Sequence, residues 1–460
     1  MKFKEYLNSL ADKRVTVIGA GVSNTPLIDA LLSEGIDTTV CDKRTFDEMG
    51  EIAERFALGG AKLALGENYL DNLQADVIFR TPGLMPTNPA ISEVVRNGAV
   101  LTSEMEVFVE ICPCKMIGVT GSDGKTTTTS IIAQILRNEG ITTHLGGNIG
   151  TPLLCSVDEM KADDIAVLEL SSFQLVSMSK SPQIAVMTNL SPNHLDVHAD
   201  MEEYFHAKRN IFAHQQPSDR VVFNLDNEFT PEYLKSAKTE DVLFFSTKEN
   251  MRNGVRLEDG EIYAVTDGKK EKIMSASDIL IPGAHNIENY MAAFAAVRGL
   301  VSHKTMRETA LTFGGVEHRL ELVRKLRGVS YYNDSIASSP SRAIAGLRSF
   351  KQKVILIAGG KDKGIQFDEL GTEILSSVKA LVLTGMTAEK IREAVINAAG
   401  YNGTPEIFIH KDFEKAVLAA SDIARDGDIV LLSPASTSFD RFNNFAERGE
   451  YFKKIVRELK

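Results

Sequence analysis

The stretch Ile117-Gly118-Val119-Thr120-Gly121-Ser122-Asp123-Gly124-Lys125-Thr126-Thr127-Thr128-Thr129 decides how this chain folds. Met116, Ile117 and Val119 form an apolar run that reads as a short buried strand, and a helical pattern follows from Ser130 to Asn138. Strand, glycine turn, Gly-Lys-Thr and helix is the order in which a backbone wraps its N–H groups around a nucleotide's phosphates. Glycines permit the close approach, Lys125 neutralises charge, and the Thr126 hydroxyl suits a Mg²⁺ ion. The general phosphate-loop pattern wants glycine where this chain has Val119. The glycines here are Gly118, Gly121 and Gly124, a narrower variant. A bare Gly-Lys-Thr turn without a ligand is the alternative, and the strand before it and helix after it speak against that.

A length of 460 residues allows about two to four domains. Hydrophobic and charged shares of 43% and 25% are those of an ordinary soluble globular protein. The net charge of −11 argues against nucleic acid or an anionic membrane as the main partner, yet leaves room for an anionic small ligand in a local basic pocket. Cys41, Cys112, Cys114 and Cys155 are too scattered for a disulfide framework. Cys112-Pro113-Cys114 has the wrong spacing for a zinc knuckle and reads as part of a linker. Met1-Lys2-Phe3-Lys4-Glu5-Tyr6 has no apolar leader core, and no stretch reaches the ~18 apolar residues of a membrane span. A cytoplasmic protein without membrane insertion, acting as a monomer, is expected.

Residues 1–113 alternate strands and helices. Arg14 to Gly19 is a strand, Gly19-Ala20-Gly21-Val22-Ser23-Asn24 a turn, Pro26 to Ser33 a helix, and Thr38 to Asp42 a second strand ending in an acid. The pattern is a partial dinucleotide fingerprint in which Asn24 replaces the third glycine. Asp76 to Phe79 is a further strand, followed by the turn Arg80-Thr81-Pro82-Gly83. A doubly wound α/β domain follows, binding at the strand C-terminal ends a nicotinamide dinucleotide or another diphosphate ligand.

Residues 114–316 contain the phosphate loop. Leu145-Gly146-Gly147-Asn148-Ile149-Gly150 is a second glycine-rich loop. The strand Ile165 to Leu168 ends in Glu169, and the strand from Ile184 runs into Asn189 and the polar loop holding His194. Parallel strands would bring Glu169 and His194 to the phosphate loop. Glu169 suits a Mg²⁺ ligand, being a hard oxygen donor flanked by apolar residues. His194, taken on its own, reads better as a hydrogen-bonded loop histidine than as a ligand. Met201 to Ala213 reads as a helix whose apolar face, Tyr204, Phe205, Ile211 and Phe212, includes Lys208. A lysine there either snorkels or, desolvated, becomes a neutral amine able to add CO₂ as a carbamate. Residues 220–282 are rich in strands and turns. Asn286 and Asn289 share a face of the helix that runs from Tyr290 to Leu300, where amides cap the helix or read an adenine edge.

Residues 317–460 alternate again, with strands at Tyr331 to Asn333, Val354 to Ile357, Ala380 to Leu383, Glu406 to Ile409 and Asp428 to Leu432. Helices run from Ala388 to Ala399 and from Asp412 to Arg425. This is a second Rossmann-like sheet without a phosphate loop. The loops beginning at Asn333, Gly359 and Ser433 each follow a strand and should open on one edge.

Taken together, these motifs resemble the Mur ligases, ATP-dependent amide ligases of peptidoglycan precursor synthesis. The resemblance is carried by Gly118-x-Thr120-Gly121-x-x-Gly124-Lys125-Thr126, Glu169, Asn189 with His194, and Lys208 in Ala207-Lys208-Arg209. It continues through Pro282-Gly283-x-His285-Asn286-x-x-Asn289 and His318-Arg319. Leu168 to Leu175 and the ending from Leu432 through Ser438 and Phe445 to Arg448-Gly449 resemble the branch that adds D-glutamate to UDP-N-acetylmuramoyl-L-alanine. The implied fold is α/β in three domains: a Rossmann-like UDP-sugar domain over 1–113, a central P-loop ATPase-type domain over 114–316, and a Rossmann-like amino-acid domain over 317–460.

The resemblance implies ATP held by Gly118, Thr120, Gly121, Ser122, Asp123, Gly124, Lys125, Thr126, Thr127, Asn286, Asn289, Arg319 and Asp334. It implies two Mg²⁺ ions, one on Thr126 and Glu169, the other on His194 and a carbamylated Lys208. Lys125, Glu169, His194 and Lys208 would be the catalytic set. The UDP-sugar would lie against Gly21, Val22, Ser23, Asp42, Lys43, Arg44, Thr81, Pro82 and Gly83, with Asn148 and His194 at the muramoyl part. D-glutamate would meet Lys363, Ser438 and Phe445. The family usually reads Asn-Asp-Ser-Lys-Ala-Thr-Asn where this chain has Ile336 followed by Ala-Ser-Ser-Pro, so Lys361 or Arg342 is expected to supply the missing charge.

Overall fold

A computed structural model of the chain describes residues 2–191 and 200–460. Three sheets organise it, all with parallel strands at their centres. The first has the order Lys62–Leu65, Thr38–Asp42, Val15–Ile18, Val77–Arg80, Val100–Thr102, and every pairing is parallel. Val15–Ile18 and Val77–Arg80 are buried at every position, which is why they are apolar apart from Thr16 and Arg80.

The second sheet has nine strands. Its parallel part places Lys115–Thr120 between Ile165–Glu169 and Ile184–Met187, so the phosphate loop emerges between the ends of those two strands. Gly254–Glu258, Glu261–Thr266 and Lys269–Ser275 extend its far edge as antiparallel hairpins. Asp259 and Gly260 have φ of 50° and 79°, and Asp267 and Gly268 have 50° and 80°, the left-handed pairs that match hairpin twist.

The third sheet has the order Glu321–Leu326, Val329–Asn333, Ile429–Leu432, Val354–Ala358, Val378–Leu383, Glu406–Ile409, antiparallel only at its first pairing. The three polar loops do open on one edge: Asp334 N–H donates to Leu432 O (2.7 Å), Gly359 N–H to Pro434 O (2.8 Å) and Lys361 N–H to Thr437 O (2.8 Å).

Packing divides the chain into two compact units, Met1–Ser277 with Glu288–Thr309, and Asp278–Ile287 with Ala310–Lys460. The first two sheets fall in one unit because one apolar cluster is continuous from Val17 and Phe79 through Phe108 and Met116 to Leu168 and Tyr204.

Some element bounds differ from the sequence reading. The helix after the phosphate loop is Lys125–Asn138, starting before Ser130. Its run of β-branched threonines is weakly helical by propensity, but Thr127, Thr128 and Thr129 are buried, and Thr129 Oγ1 donates to Lys125 O at 2.8 Å. The helix expected over Met201 to Ala213 ends at Arg209, and the one expected from Tyr290 is Ala284–Ala296. The charged edge strand Glu321–Leu326 and the C-terminal helix Phe445–Glu458 are additional.

Candidate active site

The phosphate loop is tied to the neighbouring strand by side chains. Asn189 Oδ1 accepts from the N–H groups of Ser122 (3.1 Å) and Asp123 (2.8 Å), and Thr188 Oγ1 donates to Asp123 O at 2.6 Å. Ser122 Oγ donates to Ser191 O (2.9 Å) and lies 3.0 Å from the Tyr204 hydroxyl. Two glycines make this closeness possible. At Gly121 (φ +153°) a Cβ would lie 1.9 Å from Thr188 Oγ1, and at Gly124 (φ +77°) it would lie 2.3 Å from Asn289 Oδ1. Gly124 is the N-cap of Lys125–Asn138 and supplies no side-chain cap. A helix N-terminus uncapped by side chain, carrying the positive end of the dipole, suits a phosphate.

Two lysines converge on the same carbonyl. Lys125 Nζ donates to Gly121 O (2.9 Å) and Ser122 O (2.8 Å), and Lys208 Nζ donates to Gly121 O at 2.7 Å. Lys208 is 1% exposed, and its ammonium also lies 4.7 Å from the centre of the Tyr204 ring. Burial first, then the Lys125 ammonium, push the Lys208 pKa well below the lysine range, against the pull of Asp123 and Glu169. Those conditions favour the neutral amine that carbamate formation needs.

Glu169 is 1% exposed at the end of its strand. Asn148 Nδ2 donates to its Oε1 at 2.8 Å, while Oε2 is buried with no hydrogen-bond partner among the described residues. An unpartnered carboxylate oxygen next to a phosphate loop fits a hard divalent cation such as Mg²⁺. Asn148, expected at the muramoyl part, thus also orients Glu169, and its own N–H bonds Glu169 O at 2.8 Å. Thr126 is half-buried in the first turn of the helix. His194 lies outside the described residues. Asn289, expected beside adenine, accepts from Thr128 Oγ1 at 3.2 Å and backs the loop at Gly124.

In the first sheet the expected uridine turns meet: a Cβ on Gly19 (φ +86°) would lie 2.9 Å from Thr81 Cβ. Asn24, in place of the third glycine, closes the turn through Nδ2, which donates to Gly19 O at 2.9 Å and Ile18 O at 3.2 Å. Asp42 accepts from Ala20 N–H (2.8 Å) and from Arg44 Nε (3.0 Å) and Nη2 (2.8 Å). Burial raises its pKa, but the Arg44 and Ala20 bonds outweigh this and hold it at about 2. With both oxygens engaged by protein, Asp42 is not set out as the ribose acceptor of a dinucleotide site. Val22 is 80% exposed at the tip, open to a ligand. Arg80 is fully buried and reaches Phe173 O (2.8 Å) and Ser177 Oγ (2.7 Å), anchoring the Thr81-Pro82-Gly83 turn.

In the second unit, Asn286 Nδ2 donates to Pro282 O at 2.5 Å. Asp334 is buried and accepts from Ser433 Oγ at 2.8 Å; burial pushes its pKa up to about 7, opposed by Ser433, Leu320 N–H, Arg319 and Arg342. Ile336 occupies the position where the family usually has lysine, and Arg342 Nη1 donates to Ile336 O at 3.4 Å, which brings one of the two cations expected there to this loop. Lys363 Nζ lies 6.0 Å from the Phe439 ring centre, Ser438 is buried, and Phe445 is 39% exposed.

Arg448, to which the sequence reading gave no role, ties two of the polar loops together. Buried beneath two loops, it donates to Ser335 Oγ (3.0 Å), Ser335 O (2.8 Å) and Ser436 O (3.0 Å). Burial lowers its pKa to about 10, with Asp440 acting the other way. The Arg448-Gly449 pair at the end of the C-terminal motif was its available signal.

Residues 119–297 match the model of the Mur ligase middle domain, and residues 318–436 that of the Mur ligase glutamate ligase domain. The chain belongs to the Mur ligase family. It is 49% identical over 459 residues to the UDP-N-acetylmuramoylalanine–D-glutamate ligase of Clostridium novyi, covering 99% of each chain. It is 50% identical over 463 residues to the enzyme of that name from Acetivibrio thermocellus, covering 100% of this chain and 99% of the other. Among solved structures, the fold is shared with UDP-N-acetylmuramate-alanine ligase from Thermotoga maritima (TM-score 0.55, 17% identity, 97% of this chain and 100% of that one). It is shared also with a MurF ligase from Thermotoga maritima in complex with ADP (TM-score 0.53, 20% identity, 98% and 97%). No helix among the described residues is long and apolar enough to cross a membrane.

Proposed function

We propose that this chain is the ATP-dependent ligase that joins D-glutamate to UDP-N-acetylmuramoyl-L-alanine through an acyl phosphate. The observation that carries the chemistry is the phosphate loop flanked by an unpartnered Glu169 oxygen and by two lysines meeting at Gly121 O. The choice of substrates rests on the full-length similarity to D-glutamate ligases. The three sheets correspond, in this reading, to three domains over 1–113, 114–316 and 317–460, for UDP-sugar, ATP and amino acid respectively. The enzyme works as a monomer in the cytoplasm, where its nucleotide substrates are.

The reaction has two steps. A carboxylate oxygen of the UDP-sugar substrate takes the γ-phosphoryl group of ATP, and ADP leaves. The D-glutamate amine then attacks the acyl carbon, and the tetrahedral intermediate expels phosphate and loses a proton. The first step brings two anions together. Lys125 and the helix N-terminus at Gly124 offset that repulsion from preorganised positions. Two Mg²⁺ ions, when bound, neutralise the phosphate charge and polarise the transferred group. Thr126 and Glu169 would hold one; His194 and a carbamate on Lys208 would hold the other. Asn148 keeps Glu169 oriented and, with His194, meets the muramoyl part.

Gly118, Thr120, Gly121, Ser122, Asp123 and Thr127 shape the ATP cradle, with Asn286, Asn289, Arg319 and Asp334 assigned to adenosine. Gly21, Val22, Ser23, Asp42, Lys43, Arg44 and Thr81-Pro82-Gly83 are assigned to the uridine diphosphate, and Lys363, Ser438 and Phe445 to D-glutamate. Phosphate release with UDP-N-acetylmuramoyl-L-alanine against a panel of amino acids tests the proposal. D-glutamate should be the substrate. Turnover with L-alanine or a diamino acid in its place would sink the assignment.

A further inference from the structure

Cys112 and Cys114 take no part in the ligase site, yet their sulfurs lie 3.5 Å apart. They sit in the connector between the helix Glu104–Ile111 and the strand Lys115–Thr120, which runs into the phosphate loop. Residues 112–114 belong to no helix or strand, so only Pro113 separates the two thiols in irregular backbone. Cys112 is half-buried and Cys114 is 4% exposed. The outer thiol is therefore reachable by a small molecule, and the inner one is reachable mainly from the outer.

The geometry points to Cys112 and Cys114 as a redox-active dithiol that closes to an intrachain disulfide by exchange with a low-molecular-weight disulfide. The Cys112 thiolate attacks one sulfur of R–S–S–R, the S–S bond breaks, and RS⁻ leaves. The Cys114 thiol gives up its proton and attacks the Cys112 sulfur of the mixed disulfide, expelling the second RS⁻. Two protein thiols are oxidised and one small disulfide is reduced to two RSH, the protons ending on the released thiols. The division of labour has a physical basis. The S–H of Cys114 lowers the Cys112 pKa, outweighing burial, with further help from the Cys114 backbone and Lys180. Lys180 Nζ is held close by its bond to Glu110 O at 3.0 Å. The Cys114 thiol is pushed far up by its bond to Cys112 and by burial. Attack by the outer sulfur and resolution by the inner one follow from that order. In a reducing compartment the pair rests as thiols and closes only under oxidative load.

The test uses the full chain carrying Cys155→Ser, which leaves buried Cys41 as the only other thiol. It is equilibrated in graded mixtures of reduced and oxidised glutathione, quenched with acid, alkylated with N-ethylmaleimide and read by mass spectrometry. An internal disulfide in the peptide spanning 112–114 should appear as the mixture becomes oxidising. Cys114→Ser should trap the glutathione adduct on Cys112, and Cys112→Ser should form neither. Under reducing conditions Cys112 should alkylate at least about tenfold faster than Cys114. A trivalent arsenical added to the protein with both cysteines present should protect both from alkylation, a reading independent of how the serine variants fold. Both thiols alkylatable across the whole glutathione range, or a Cys112 adduct that Cys114 does not resolve, or no arsenical protection, would overturn the proposal.

Discussion

The helix that follows the phosphate loop is bounded by two glycines in left-handed conformation, and they should respond unequally to the same substitution. Gly124 has φ +77° and Gly140 has φ +89°. An alanine at either costs about 1–2 kcal/mol for the strained backbone. At Gly140 nothing lies within 4 Å of the added methyl, so that is the whole effect. At Gly124 the methyl would meet Asn289 Oδ1 at 2.3 Å. Asn289 must retreat by about 1 Å to reach ordinary contact, which breaks the buried 3.2 Å bond from Thr128 Oγ1. That adds about 1–2 kcal/mol, more if the hydroxyl stays unsatisfied. Gly124→Ala should therefore cost about 2–4 kcal/mol against about 1–2 for Gly140→Ala.

A chain of this length need not unfold in one step, so a local assay suits better. Amide hydrogen exchange of the buried helix positions Ile131, Ile132, Ile135 and Leu136 reads opening of this helix directly. A difference of about 1–2 kcal/mol makes exchange in Gly124→Ala roughly five- to thirty-fold faster than in Gly140→Ala. In an Asn289→Ala background, where the clashing oxygen and its bond from Thr128 are already gone, Gly124→Ala should add only the backbone cost seen for Gly140→Ala. Equal exchange in the two glycine variants would refute the reasoning, because the contact with Asn289 would then carry no energy.

Four further outcomes follow from the site. Asn148→Ala leaves Glu169 without the amide on Oε1, and the Mg²⁺ concentration for half-maximal turnover should rise about 10–100-fold; an unchanged Mg²⁺ dependence removes Asn148 as its orienting group. Lys208→Ala should abolish phosphate release and regain part of it with a small carboxylic acid; absence of rescue counts against the carbamate. Arg342→Ala should raise the KM for D-glutamate about tenfold with a smaller change in kcat, and if combined removal of Arg342 and Lys361 leaves KM where it was, neither replaces the lysine missing at Ile336. Burial raises Asp334 from 3.8 to about 7, so its stabilising contribution is complete below the unfolded value and is lost as pH climbs through about 7. Between pH 5 and 7 the wild type should lose stability relative to Asp334→Asn by up to about 1.4 kcal/mol per pH unit, and parallel denaturation curves for the two proteins would contradict the burial account.

The parts of this molecule legible in its sequence are those whose cause is local or periodic. The strand Ile165–Glu169 stands where its apolar run puts it, because a strand buried on both faces is apolar along nearly its whole length. The placement of Lys208 in an apolar stripe was legible for the same reason, and the structure buries it. The helix start at Lys125 was not, because residue-by-residue propensity sees four threonines and misses that Gly124 turns the chain and the core takes up their methyl groups. The union of the first two sheets in one unit was also hidden, since a continuous core is a matter of shape that no window of sequence displays. Glu169 shows where the limit falls. An acid ending an apolar strand announces itself as buried, but its chemistry depends on which oxygen is left over. That is decided by Asn148, which reaches Oε1 only because Gly147 lets its loop close on the strand, where a Cβ would stand 2.2 Å from Glu169 O. The two glycines at 146 and 147 read as part of a loop, whereas they end the strand Thr143–Gly147, which pairs in parallel with Ile165–Glu169; what they bring together is a contact across 21 residues. The open oxygen, and with it the proposed cation position, therefore exists only once the loop and the strand have met.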